Sequence, residues 1–235
     1  MPTTKDLIAA NVARIRERIA AAAKTAGRDP AEITLVAVSK YVDATTAALL
    51  IDAGCHSLGE ARPQQLWEKA AAPKLAGVEW HLIGRLQRNK IRRTLPLVSL
   101  IHSVDSGRLL AAINDDAASL GMTSRALLEV NCSGDAAKQG FTADEVRALL
   151  PTLSKYSHVE VAGLMTMAAL DGNDAVAHAN FAALRTLRDE LTSAAPPYVN
   201  LRELSMGMSG DFEIAVAEGA TIVRVGSSLF EGVVP

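Results

Sequence analysis

Lys40 closes the apolar run Ile33-Thr-Leu-Val-Ala-Val-Ser-Lys40. A lone amine at the end of such a run can condense with a carbonyl to form a Schiff base. The run is β-branched and too short for an ordinary helix, so it reads as a strand buried on both faces, as in a parallel sheet. A solvated lysine after a strand is the commoner reading of this segment taken alone. Two later segments carry chemistry of a second kind. Glu203-Leu-Ser-Met-Gly-Met-Ser209-Gly-Asp-Phe-Glu-Ile-Ala reads as a short strand, a hydroxyl-rich turn and a helix. Glycine permits close backbone approach, serine hydroxyls donate, and the N–H groups that open a helix favour an anion. A capped turn with Ser209 or Asp211 as N-cap explains the same residues. Ala220-Thr-Ile-Val-Arg224-Val-Gly226-Ser227-Ser228 repeats the pattern, with an arginine on the strand itself. Flanked by valines, Arg224 is expected to point inward, where its permanent charge needs a partner. That partner is either a carboxylate such as Glu60 or Glu129, or a ligand's ring nitrogen or phosphate.

Groups so far apart in sequence need a scaffold that gathers them. Strand patterns fall near residues 33–39, 56–60, 79–84, 100–105, 126–131, 159–167, 203–207 and 221–226. Helical spacing or strong helix formers fill the intervals, over residues 43–53, 63–71, 88–95, 106–120, 142–153, 175–193 and 211–218, after an amphipathic helix over about 4–26. Eight alternating units predict an α/β fold, a single (β/α)8 TIM-type barrel with an extra N-terminal helix, spanning residues 1–235 as one domain. Such a barrel delivers the ends of all its strands to one face, and phosphate commonly sits in the loops after strands 7 and 8. No G-x-G-x-x-G follows any strand, which argues against an open dinucleotide-binding sheet. No helical pattern follows the eighth strand, and the N-terminal helix is expected to cover that gap.

Composition excludes several classes. The chain has 235 residues, 49% of them hydrophobic, and a formal charge of −2, so it can bury a large core and has no general polyanion-binding character. The cluster Arg85, Arg88, Lys90, Arg92 and Arg93 reads as a solvated helix face rather than a nucleic-acid site. Cys55 and Cys132 lie in no C-x-x-C or zinc spacing, so reduced thiols in a cytoplasmic protein are expected. The absence of any apolar stretch approaching 20 residues, and of an apolar leader, argues against a membrane segment. With no heptad or swap segment visible, a monomer is expected.

Taken in order, Val-Ala-Val-Ser-Lys40, Leu58-Gly-Glu60, His81-Leu-Ile-Gly-Arg-Leu-Gln87-Arg-Asn89-Lys90, Val130-Asn131-Cys-Ser-Gly134 with Lys138 and Gly140, Gly163-Leu-Met-Thr-Met167, Ser205-Met-Gly-Met-Ser209 and Arg224-Val-Gly226-Ser227 resemble the pyridoxal 5′-phosphate homeostasis protein family. Its members are similar to the N-terminal barrel of fold-type III enzymes such as alanine racemase. The resemblance implies that Lys40 carries pyridoxal phosphate as a Schiff base. It implies that Ser205 or Ser209, with Met206 in the same turn and with Gly226 and Ser227, contacts the cofactor at its phosphate end, and that Arg224 faces the pyridine nitrogen. An arginine does not readily give a proton to that nitrogen, so the ring would be a weak electron sink. Racemases of this kind add a second domain whose tyrosine is the opposing base; only four residues follow Glu231 here, and Tyr41, adjacent to Lys40, is expected to point the other way along the strand. The implied role is therefore holding and delivering the cofactor in vitamin B6 homeostasis, to recipient apoenzymes, without turnover. A weak or partner-dependent amino-acid enzyme, and a cofactor-free Schiff-base aldolase acting on a sugar phosphate, are the alternatives. Ala61 departs from the asparagine usual after Leu-Gly-Glu, putting one polar contact in doubt. His81 reads as a satisfied core histidine, the methionines 165, 167, 206 and 208 as packing, and Lys138 as a second amine able to accept the cofactor in transit.

Overall fold

The computed structural model describes residues 2–135, 139–169, 173–195 and 199–233. Eight strands, β1 (Thr34–Val38), β2 (Ser57–Glu60), β3 (Glu79–Leu82), β4 (Leu100–Val104), β5 (Ser124–Glu129), β6 (Val159–Met165), β7 (Glu203–Ser205) and β8 (Ile222–Val225), pair in sequence order and in parallel. β8 returns to β1, with Val36 opposite Arg224, and the barrel closes.

Because side chains alternate across each strand, the barrel has two apolar layers. Val36, Leu100, Leu127, Ala162, Met165 and Ile222 cluster apart from the larger core. Their strand neighbours Ala37, Ile101, Leu128 and Val223, with Leu204 of β7, belong to that larger core, which includes helix residues such as Leu50, Leu66, Phe181 and Phe212. Phe181 and Phe212 are fully buried, and each such side chain contributes about 1.5–3 kcal/mol of transfer free energy.

The N-terminal helix α1 (Thr4–Thr25) opens with a capping box between Thr3 and Asp6 and buries Ile8, Val12, Ile15, Ile19 and Ala23 along one stripe. Its polar groups reach both neighbours. Lys5 pairs with Asp52 of α2 (Ala44–Asp52), and Arg18 pairs with Glu213 of α8 (Phe212–Ala217) while lying 4.7 Å over the Phe212 ring. Asn11 donates to the carbonyls of Leu229 and Glu231. The helix thus occupies the place that a helix after β8 would fill, as the sequence pattern leads one to expect.

The remaining helices are α3 (Pro63–Ala70), α4 (Ile91–Thr94), α5 (Gly107–Ser119), α6 (Ala143–Leu149) and α7 (Asp174–Ala194). Two are shorter than their patterns predict, at opposite ends. α4 starts late because Arg88–Lys90 form a 3₁₀ turn ahead of it, whereas α6 ends early because Pro151 has no N–H to continue the helical ladder and the segment closes in a 3₁₀ turn at Leu150–Lys155. Among the described residues no helix is long and apolar enough to cross a membrane, and Cys55 and Cys132 are free thiols. Lys138 lies outside the described residues.

Candidate functional site

Lys40 sits in the turn just past β1, half-buried. Among the described residues its ammonium makes no hydrogen bond or ion pair; it lies 4.8 Å over the Tyr41 ring. The expectation that Tyr41 turns away is corrected: β1 ends at Val38, so strand alternation no longer applies at 40 and 41. Tyr41 is 70% exposed, beside the amine, and Met167 and Met208, which follow β6 and β7, are also exposed.

The peptide that delivers Lys40 is held from outside the barrel. Lys69 of α3 donates to the Ser39 carbonyl at 2.7 Å and forms an ion pair with Glu60 of β2, which also accepts from the Ser39 hydroxyl at 2.7 Å. All three are buried, and Glu60 Oε2 has no partner among the described residues. Glu60 therefore belongs to this clamp and is no counter-ion for Arg224. It shares the outward parity of Leu58 on β2.

The turns after β7 and β8 come together. Ser209 Oγ accepts from the Gly226 N–H at 3.2 Å, and Ser227, exposed, opens the 3₁₀ turn that follows. Gly207 has φ 90°, and a Cβ there would lie 2.5 Å from that of Ala215, so only glycine lets this turn fold onto α8. Asp211 stands at the N-cap of α8, but its carboxylate turns back to accept from the Met208 N–H at 2.6 Å instead of capping the helix. Burial pushes that carboxyl up, against the pull of the Met208 N–H and of Arg224. Met206, expected among the cofactor contacts, is fully buried in the core shared with Leu204 and the helices, so its thioether is engaged in packing.

Arg224 is buried as expected, 4% exposed, but its partners are neutral. It donates from Nη1 to Ser205 Oγ at 2.5 Å and from Nη2 to the Thr166 carbonyl at 3.0 Å. Burial lowers its pKa to about 10, with Asp211 and Glu129 opposing through space. The Glu129 carboxyl, mostly buried on β5, is raised by burial and by Asp105 and lowered by Arg224. Ser205 also contacts His102 Nδ1 at 2.8 Å, and His102 Nε2 contacts His81 Nδ1 at 2.8 Å. Burial drives the pKa of His102 well down and that of His81 to about 4. Of the two serines weighed for the anion seat, Ser205 is thus engaged inside the barrel, and Ser209 is the one at the joined turns.

Sequence reasoning missed His102, Thr166 and Lys69. His102 was visible as the one imidazole in the strand Leu100-Ile-His-Ser-Val104, two residues from inward-facing Leu100. Lys69 gave no such signal, since a lysine in a helix is ordinarily solvated. Beside Ala61 the backbones of two turns meet: Gly84, in the turn after β3, comes so close that a Cβ on it would lie 2.3 Å from the Ala61 carbonyl oxygen, so position 84 requires glycine whatever side chain stands at 61.

Comparison with known proteins gives the family and the fold of the chain. The model for the alanine racemase N-terminal domain matches residues 8–233. The pyridoxal phosphate homeostasis protein of Aquifex aeolicus is 38% identical over 219 residues, 93% of this chain and 95% of that protein. Its counterpart in Escherichia coli strain K12 is 33% identical over 226 residues, 95% of each. Among solved structures, PipY of Synechococcus elongatus PCC7942, determined with PLP bound, is 40% identical with a TM-score of 0.81 and covers 92% of this chain and 99% of its own. An alanine racemase of Clostridium difficile shares the fold alone, at 16% identity and a TM-score of 0.72 over 94% of this chain and 56% of that one. A lysine after the first strand, joined serine and glycine turns after the last two, and a buried arginine on the eighth are thus found in a chain that belongs to the pyridoxal phosphate homeostasis protein family.

Proposed function

We propose that this chain, acting as a single cytoplasmic, monomeric unit, binds pyridoxal 5′-phosphate on Lys40 and serves its storage and delivery without a turnover of its own. The observation that carries the reading is the Lys40 amine at the barrel mouth, without a hydrogen bond or ion pair among the described residues, in a family in which PipY has been solved with PLP bound. The residues fit the cofactor's three chemical parts. Lys40 meets the aldehyde, forming a Schiff base with loss of water. Ser209, Gly226 and Ser227 offer the phosphate hydroxyls and backbone N–H groups. Arg224 offers the ring nitrogen a donor. When bound, the cofactor supplies an electron sink, which a non-acidic partner such as arginine keeps weak.

Absence of turnover is supported by placement. Tyr41 lies on the side of Lys40 itself, so its phenol is badly placed to act from the opposite face of a substrate. Recipients are apoenzymes that reach the exposed collar of Tyr41, Met167 and Met208. Free thiols at Cys55 and Cys132 suit a reducing compartment.

The test is an absorbance spectrum of the purified protein, then mass spectrometry of a borohydride-reduced digest. A visible band and a pyridoxyl adduct on Lys40 are expected, both lost in Lys40→Ala. A protein that stays colourless after incubation with pyridoxal phosphate would sink the reading and favour the cofactor-free aldolase. Ser209→Ala and Ser227→Ala are expected to raise the Kd for the cofactor about tenfold each, the cost of one hydrogen bond to a charged group, with the band unmoved.

A further inference from the structure

We propose that His102 and His81 are positioning residues for Arg224, joined to it through Ser205 in one oriented hydrogen-bond chain whose donors all point away from the guanidinium. Its bearing on a ligand rests on the reading of Arg224 as the partner of the cofactor ring. The chain itself rests on geometry alone.

A guanidinium has donors and no lone pair, so at the 2.5 Å contact Ser205 Oγ is the acceptor. Ser205 is fully buried, and among the described residues the other group on its hydroxyl is His102 Nδ1, at 2.8 Å. The hydroxyl proton therefore goes to His102. Any other orientation leaves a buried O–H without an acceptor, which costs about 1–3 kcal/mol. His102 Nδ1 is then bare and its proton sits on Nε2, where it is donated to His81 Nδ1 at 2.8 Å. His81 in turn carries its proton on Nε2. Reversal would aim the Ser205 hydroxyl at Arg224, which has nothing to accept it, so the direction is locked.

The direction has electrostatic consequences. Each member turns the negative end of its dipole toward Arg224, and successive hydrogen bonds polarise one another. A buried cation without a contacting carboxylate among the described residues is thereby stabilised by neutral groups, and its positive charge is not cancelled. The charged groups that face the chain are few. Glu79 and Arg125 act on His81, Arg224 acts on His102, and Asp211 and Glu129 act on Arg224. The chain also withdraws the Ser205 hydroxyl from any role in the phosphate seat.

The first test uses the unliganded protein. Long-range ¹⁵N–¹H correlation spectra of labelled protein, with signals assigned through His81→Gln and His102→Asn, are expected to show both imidazoles neutral at neutral pH with the proton on Nε2. A proton on His102 Nδ1, or an imidazolium at either residue, would overturn the chain. The second test compares His102→Leu, which has no acceptor for Ser205, with His102→Asn, whose amide oxygen replaces Nδ1. The leucine variant is expected to raise the Kd for pyridoxal phosphate about tenfold and to shift the visible band, with most of the loss recovered by asparagine. Binding of inorganic phosphate should stay unchanged in both, because its seat lies outside the chain. Equal cofactor binding by His102→Leu and the native protein would reduce the histidines to packing and overturn the proposal. The expected tautomers in a protein that binds no cofactor would sustain the chain and sink the cofactor reading.

Discussion

Arg224 illustrates how a residue's type can be legible while its partners are not. Two flanking valines place it inside the barrel, and burial confirms this, but the sequence offers a carboxylate or a ligand as its partner where the structure supplies a hydroxyl and a carbonyl. Partner choice depends on register between β6, β7 and β8, which no single strand pattern encodes. The two-pronged hold is specific to a planar fork. Arg224→Lys keeps the charge but cannot span Ser205 and Thr166 together. It is expected to lose about 1–3 kcal/mol of unfolding free energy in the absence of any ligand, measured by urea titration. Unchanged stability would mean that the guanidinium contacts do little for the fold. The spacing that revealed Lys40, by contrast, needed no partner to be read, because the amine has none among the described residues.

At the scale of elements, the site depends on how the turn after β1 is fixed. β1 and β2 are bridged by the Ser39 hydroxyl on Glu60, and α3 adds the Lys69 ammonium to both. Alternation along β2 places Glu60 beside Leu58 on the outer layer, so this much was readable. That Lys69 would be drawn under the sheet was not, since it follows from the angle at which α3 packs. A buried ion pair is costly to break and often cheap to replace. Lys69→Met is therefore expected to destabilise the protein by about 3–5 kcal/mol, because it leaves the buried Glu60 without its cation and with only the Ser39 hydroxyl as a partner. Adding Glu60→Leu should recover most of that loss. A thermodynamic double-mutant cycle checks this, and simple additivity of the two changes would show that they do not interact. If the double variant is stable yet forms the Lys40 adduct slowly, the clamp serves the site more than the fold.

For the whole molecule, the buried titratable groups set how stability answers to pH. His81 is held neutral by burial, with its pKa lowered from 6.5 to about 4, and His102 is displaced in the same direction. A group whose folded pKa lies below its unfolded value takes up protons in the unfolded chain first. As pH falls from 6.5 toward 4, unfolding is therefore favoured by up to about 1.4 kcal/mol per pH unit for each such histidine. Glu129 and Asp211 act oppositely. Their folded pKa values are raised, so they take up protons first in the folded chain, and acidification relieves their burial penalty. The net slope is a difference, and substitution separates its parts. His81→Gln should flatten the loss of stability between pH 6.5 and about 4, whereas Glu129→Gln should steepen it. Urea unfolding of the native protein and both variants across that range reads the slopes directly. A native slope that His81→Gln leaves unaltered would mean that His81 takes up its proton as readily in the fold as in the unfolded chain, which is incompatible with a buried imidazole whose Nδ1 accepts from His102 at 2.8 Å.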